Sequence, residues 1–314
     1  MKIQITEHRL QSTDYRTRKN SRGSGLWSLG SKSGFTLTEL LLALVITALA
    51  TAAVYTSFIV QQRSFVSQDQ LAETQVSSKI AFDMIANDVR NAGFGYPAAE
   101  NPSINGSTGA VTISDAAGPN NSDTITLLAG FKSIATLYGA DAVIGGTTIS
   151  ISYTGTTYFN LTDRRYLSLD GLDFAQINNC TLQDGNCSSL YALTLDRGIN
   201  KPFPIGRFIY LVESVTYQIS GSDLQRVSTS RGTEIVANNI EDFQVAAVDQ
   251  DGDGKTDRLR VSLLARTANE DQTLEPSTKP YYSTGIVIEG NTTLDTDKFR
   301  RRVWTMELSL RNPI

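Results

Sequence analysis

The sequence predicts an α+β protein: one long N-terminal helix, apolar all round in its first half, followed by a β-rich body built on an antiparallel sheet. Three observations carry this. From Leu40 to Val60 there is no charged residue, no glycine and no proline. From Gln61 to Ala92 glycine and proline stay absent, while apolar residues recur near a 3.6 period. After Pro97 the pattern changes to short runs in which apolar and polar residues alternate.

The elements follow in chain order. Residues 1–34 are basic and rich in Ser and Gly, with no periodicity, and read as an unstructured leader. The helix is expected from about Thr36 to about Ala92. Its uncharged residues 40–60 span roughly 30 Å at 1.5 Å per residue, the thickness of a bilayer core, so about 36–60 is the expected transmembrane half. The second half, with Leu71, Val76, Ile80, Met84 or Ile85, and Val89, presents one apolar stripe that needs a surface to pack on. Gly93, Gly95 and Pro97 end the helix. Strands are expected at 124–129, 148–153, 209–220, 258–266 and 303–310, and "QISGSDLQRVS" reads as a hairpin. In the last strand Trp304, Met306, Leu308 and Leu310 share one face. A sheet with one apolar face needs a cover on one side, and the amphipathic half of the helix is the natural one. Residues 267–299 are polar and turn-rich, an excursion before the last strand.

Charge adds direction. Residues 1–34 hold seven Lys or Arg against Glu7 and Asp14, a net +5, and the remaining 21 basic and 30 acidic residues give −9. A basic leader before an apolar run keeps the N-terminus cytoplasmic and sends the rest across the membrane. An acidic body argues against nucleic acid as a partner. In an exported body the pair Cys180 and Cys187, in "CTLQDGNC", reads as a short-loop disulfide rather than two thiols; the spacing suits neither a CxxC redox pair nor a zinc site.

At Gly34-Phe35-Thr36-Leu37-Thr38-Glu39 the chain resembles the processing site of type IV prepilins and related pseudopilins. The pattern is a basic leader ending in Gly, then Phe, then a Glu fifth in the new chain, inside a long apolar helix. The resemblance implies that a prepilin peptidase cuts between Gly34 and Phe35 and methylates the new amine of Phe35. It implies a lollipop fold, with a leader 1–34, a helix 35–93 and a head 94–314. It also gives Glu39 a partner, the Phe35 amine of a neighbouring subunit. A carboxylate in an apolar helix costs up to about 2.5–3.5 kcal/mol on insertion scales and is usually functional. A plain signal anchor leaves Gly34 and Glu39 without a role. A secretory signal cut after Ala48-Leu49-Ala50 conflicts with Glu39 and with the apolar run beyond it.

Three further stretches, 82–97, 238–267 and 299–312, resemble PilW-type minor pilins. That resemblance implies a non-enzymatic subunit which joins other minor and major pilins in the bacterial inner membrane, with a periplasmic head, and enters the pilus or its tip. The J-type pseudopilin of type II secretion is the alternative, and it is typically smaller; residues 98–208 and 267–299 are the excess that favours PilW. A pilus-tip adhesin is a third class, with Tyr281-Tyr282 as its place.

One loop points to a metal. Asp249, Asp251, Asp253 and Asp257 stand at positions 1, 3, 5 and 9 of an EF-hand-like calcium loop, with Gly254 at the turn and the Lys255 carbonyl available. Position 12 is Arg260 rather than Glu. The loop reads equally as a solvated Asp-Gly turn between two strands. Enzymatic readings are thin. The sole histidine is His8, in the leader, which removes Ser-His-Asp, Cys-His and His-metal chemistry from the rest; paired carboxylates for glycoside cleavage stay open.

Overall fold

A computed structural model describes residues 34–180, 187, 191–271 and 297–311. The expected excursion therefore lies mostly, and the leader almost wholly, outside the described residues, as does Tyr281-Tyr282. The chain falls into two compact units that meet at Val60 and Gln61, and the helix α1 (Leu37–Asn91) supplies residues to both.

The first unit is the apolar half of α1. Leu40, Leu44, Val45, Ile46, Leu49, Val54 and Phe58 are all at least half exposed. The helix is long and apolar enough to cross a membrane, and none of its most apolar stretch is buried. Thr47, Thr51 and Thr56 donate their hydroxyls to carbonyls one turn back at 2.7–2.8 Å, which removes polar groups from an apolar surface.

The second unit holds the rest of α1 and, among the described residues, twelve strands. These are β1 (Val111–Ser114), β2 (Thr124–Leu137), β3 (Thr148–Tyr153), β4 (Tyr166–Leu169), β5 (Asp173–Cys180), β6 (Tyr191–Leu195), β7 (Phe208–Ser220), β8 (Asp223–Ser228), β9 (Gly232–Asn238), β10 (Ile240–Val248), β11 (Arg258–Arg266) and β12 (Arg301–Ser309). Every pairing among the described strands is antiparallel. The α+β class, with a long helix and an antiparallel body, is as the sequence predicts.

The single covered sheet expected from alternation is replaced by two sheets, one of which closes on itself. The larger runs β1-β2-β3-β6-β5-β4-β7-β8-β9, and β2 also pairs with β7. Six strands, β2-β3-β6-β5-β4-β7, therefore form a ring. Each gives its interior two apolar residues at period two or three: Ile134 and Leu137, Ile149 and Ile151, Leu193 and Leu195, Ala175 and Ile177, Leu167 and Leu169, Ile209 and Leu211. Closure removes the strand edges that such short strands would otherwise leave unpaired. Because β2 and β7 pair directly from Ile125↔Tyr217 to Thr136↔Phe208, residues 138–207 amount to an insertion at the tip of one long hairpin.

A second core joins the helix to both sheets. Ala81, Phe82, Ile85, Ala86 and Val89 of α1 are buried with Leu127 and Tyr217 of the larger sheet and with Phe243, Val261 and Leu308 of the three-stranded sheet β10-β11-β12. Each large side chain so buried contributes about 1.5–3 kcal/mol. The predicted stripe needs correction here: Val76 is 60% exposed and Ile80 51%. At about 100° per residue they lie roughly 180° and 140° around the helix from Ile85, which sets the core face. Met306, expected inward, is 39% exposed, although Leu308 beyond it is buried.

Past the helix, Gly93 donates its N–H to the Leu128 carbonyl (2.9 Å) and Phe94 accepts from Gly130 (2.8 Å), so the chain zips onto β2. The Phe94 ring meets Tyr210 edge-on, with centroids 5.0 Å apart. It also leaves no room at Gly171, where a Cβ would sit 2.3 Å from the ring and φ is +73°. Only glycine fits that position.

Candidate functional site

The predicted processing site lies at the start of α1. Gly34, Phe35 and Thr36 lie outside any regular element, and the helix begins at Leu37. Phe35 is 87% exposed. A Cβ on Gly34 would meet nothing within 4 Å, and its φ is not in the left-handed region. The fold thus places no demand for glycine there, and the residue is free to serve recognition from outside the chain.

Glu39 is tied down within its own turn. Its carboxylate accepts the Thr36 N–H and the Thr36 hydroxyl, both at 3.0 Å, and the Thr36 Oγ1 accepts the Glu39 N–H at 3.3 Å. This is a capping box: Thr36 caps the helix and Glu39, three residues on, returns the bond. Its signature, T-L-T-E before an apolar run, is in the sequence, so Glu39 has a partner within its own turn besides the neighbouring amine expected for it. A carboxylate at a helix N-terminus also meets the positive end of the helix dipole.

Cys180 and Cys187 form a disulfide, with Cα atoms 5.6 Å apart. Both are buried among the barrel residues, so the bond ties residue 187 to the end of β5 within the barrel interior.

The acid loop joins β10 to β11. Asp249, Asp251 and Asp257 offer carboxylate oxygens that all lie within 4.8 Å of one another. Oxygens sharing one calcium at 2.3–2.6 Å lie within about 4.6–5.2 Å of each other, so these three fit one ion. Gly252 and Gly254 take φ of +79° and +85° and donate their N–H groups to Asp249 at 2.7 and 2.8 Å. Those bonds hold the Asp249 carboxyl below its ordinary range. Asp253 does not join the cluster: it accepts the Lys255 N–H at 2.8 Å and faces the Lys255 ammonium at 3.8 Å. Arg260, at the twelfth position, pairs with Glu307 on β12 at 2.9 Å and is not directed to the loop.

Sequence reasoning missed a buried charge cluster between helix and sheet. Asp88, on the core face of α1, accepts from the Arg226 Nε (2.8 Å) on β8 and from the Tyr217 hydroxyl (2.7 Å) on β7. The Asp88 and Arg226 side chains are 7% and 8% exposed. Burial works against the Arg226 charge, yet the bond to Asp88 and its charge outweigh this and hold the guanidinium above its usual value. Burial and the Asp88 charge both push the Tyr217 phenol up. An acid inside an apolar helical stripe was the available signal.

Residues 29–55 match the prokaryotic N-terminal methylation motif. No curated protein and no solved structure matches the chain. The motif, the apolar helix behind it and the antiparallel body together support a type IV pilin-like or pseudopilin protein, a structural kind of protein, and fit membrane anchoring through α1 with the head outside.

Proposed function

We propose that this chain is a minor pilin of the PilW type, cut between Gly34 and Phe35, methylated at Phe35, and taken up into a type IV pilus or its priming complex. The observation that carries the reading is the methylation motif at residues 29–55 overlapping the start of a 55-residue helix whose first half is apolar and unburied. The head serves as an assembly partner rather than a catalyst. The barrel inserted between β2 and β7 gives the excess size that favours this reading over a J-type pseudopilin; a pilus-tip adhesin is the third reading. In the assembled state Glu39 pairs with the Phe35 amine of a neighbour; two opposite charges meeting in an apolar core neutralise each other and set axial register.

The test begins with the N-terminal peptide of the membrane-extracted protein. A methylated Phe35 start is expected; a Met1 or Thr51 start refutes the reading. Glu39→Ala should be cut normally and enter pili poorly, and wild-type entry would sink the charge pairing. Loss of pili in a deletion strain separates the pilus reading from loss of enzyme export, which the pseudopilin reading expects.

Asp249, Asp251 and Asp257 further favour calcium as a ligand of the β10–β11 loop, with the Lys255 carbonyl and water completing the shell. Three carboxylates this close repel one another, so calcium should raise the melting temperature of the head and EDTA should lower it. Superimposable melting curves in the two conditions remove the ion.

A further inference from the structure

The end of the barrel where β2 gives way to β3 carries an apolar surface. Among the described residues beyond the helix, eight large apolar side chains are exposed, and six of them gather at this end: Tyr138, Val143, Ile144, Leu172 and Ile205 on three loops, and Phe208 at the start of β7. The other two, Ile235 and Met306, lie singly on β9 and β12. Scattered exposed apolar residues need no explanation, but a cluster does.

These loops are held in place. Ala142 and Phe203 exchange backbone hydrogen bonds at 2.8 and 2.9 Å. Gly145 donates to the Ile199 carbonyl (2.8 Å), Gly206 to that of Leu137 (2.8 Å), and Asp170 to that of Phe208 (2.9 Å). The Asp141 carboxylate accepts the Ile205 N–H at 2.9 Å, and Asp170 pairs with Arg207 at 2.9 Å. Asp170 is paired with Arg207, and the three loops hold as many basic residues (Arg197, Lys201, Arg207) as acidic ones (Asp141, Asp170, Asp196), leaving a surface with no strong field of one sign. A partner selected by charge is not what it suits; an apolar, weakly charged protein face is.

Size narrows the partner further. The six side chains expose on the order of 500 Å² of apolar surface, against about 800 Å² per partner in a stable interface formed from free solution. A patch that small binds weakly between diffusing proteins. It suffices when both partners are already confined by anchors, because the effective concentration is then high. This chain carries such an anchor in the apolar half of α1.

The geometry points to this loop surface as the docking face for the head of another helix-anchored, pilin-like subunit. The inference rests on the proposed pilin function and adds to it the surface used. Its test places a photo-crosslinking phenylalanine analogue at Ile144 or at Ile205 of the full chain in its own cells, with Ile235 as the control position. The expected product is several-fold stronger at 144 and 205 than at 235, and its second chain yields a methylated N-terminal peptide of the prepilin type. Adding Ile144→Asp to the 205 analogue chain should abolish that product while leaving the melting temperature of the head unchanged.

Equal labelling at 235, capture of lipid, or a captured chain without such a peptide overturns the proposal. In the same sample the chain's own N-terminal peptide is read separately. A methylated Phe35 start without the product means that the surface is wrong and the pilin reading stands; an unprocessed start means that the pilin reading itself fails.

Discussion

Asp88 and Arg226 show how one buried pair can be costly to break and cheap to replace. Each charge lost water on burial; Asp88 is compensated by Arg226 and the Tyr217 hydroxyl, and Arg226 by Asp88 and, at 3.5 Å, by Glu234. Removing one partner strands the second. Asp88→Ala should cost about 3–5 kcal/mol of head stability, read from urea unfolding. The double change Asp88→Leu with Arg226→Met should recover much of that, since neither residue is then a stranded charge. If the double variant is less stable than the single one, the pair does more than cancel its own desolvation. Glu213 on β7 is a different case. Burial raises its pKa above the ordinary 4.5, opposed by bonds from the Ser230 N–H and hydroxyl. A raised folded-state pKa means that the folded chain binds the proton more tightly than the unfolded one. The associated stability is present below pH 4.5 and is lost as pH rises through the raised value. Melting temperatures of wild type minus Glu213→Gln should therefore fall as pH goes from 4 towards 7; a flat difference contradicts the shift.

Elements differ in how much of them the sequence betrays, and the differences have physical causes. The helix was legible almost to the residue, expected over about 36–92 and found over Leu37–Asn91, because propensity, absence of breakers and Gly93 all act locally. Strands β3, β7 and β11 were also legible from period two. The barrel was not. Its strands are four to fourteen residues long, and closure depends on β2 meeting β7 across some seventy intervening residues, a pairing that leaves no local signal. The core face of α1 was misjudged at Val76 and Ile80 for a related reason: several apolar rows are available, and the sheets choose among them. The cysteine pair was readable by compartment. The sequence marked the acid loop too, but not which carboxylates converge, since Asp253 turns to Lys255. At this scale the disulfide makes a quantitative claim. It closes a short loop, with a sequence separation of 7, for which chain entropy gives about 2.5 kcal/mol. Cys180→Ser with Cys187→Ser should lower head stability by roughly that amount and leave the far-ultraviolet circular dichroism unchanged. A much larger loss would mean that the bond organises the barrel itself.

For the molecule beyond Gln61 the question is whether barrel and helix core unfold together. They are distinct clusters of buried residues, one inside the six-stranded ring and one beneath α1. Separate clusters invite the expectation of separate transitions. Two features oppose it. Strands β2 and β7 run unbroken from one core into the other, Ile125 and Leu127 lying in the helix core and Ile134 and Leu137 in the barrel. Between them a third cluster places Tyr96, just past the helix, against Leu128 and Val212 of those strands and Tyr166 and Phe174 of the barrel. Neither core can melt without fraying strands that the other needs, so the cost of a boundary is high and intermediates should be sparse. A chain beginning at Gln61 should unfold in calorimetry as one transition, with equal calorimetric and van't Hoff enthalpies. It should lose barrel and helix signals at a single midpoint, and Ile134→Ala in the barrel should shift the melting of helical ellipticity as much as Ile85→Ala in the helix. Two resolved transitions, or an Ile134→Ala effect confined to barrel probes, would show that the inserted barrel is an independent domain carried on a hairpin.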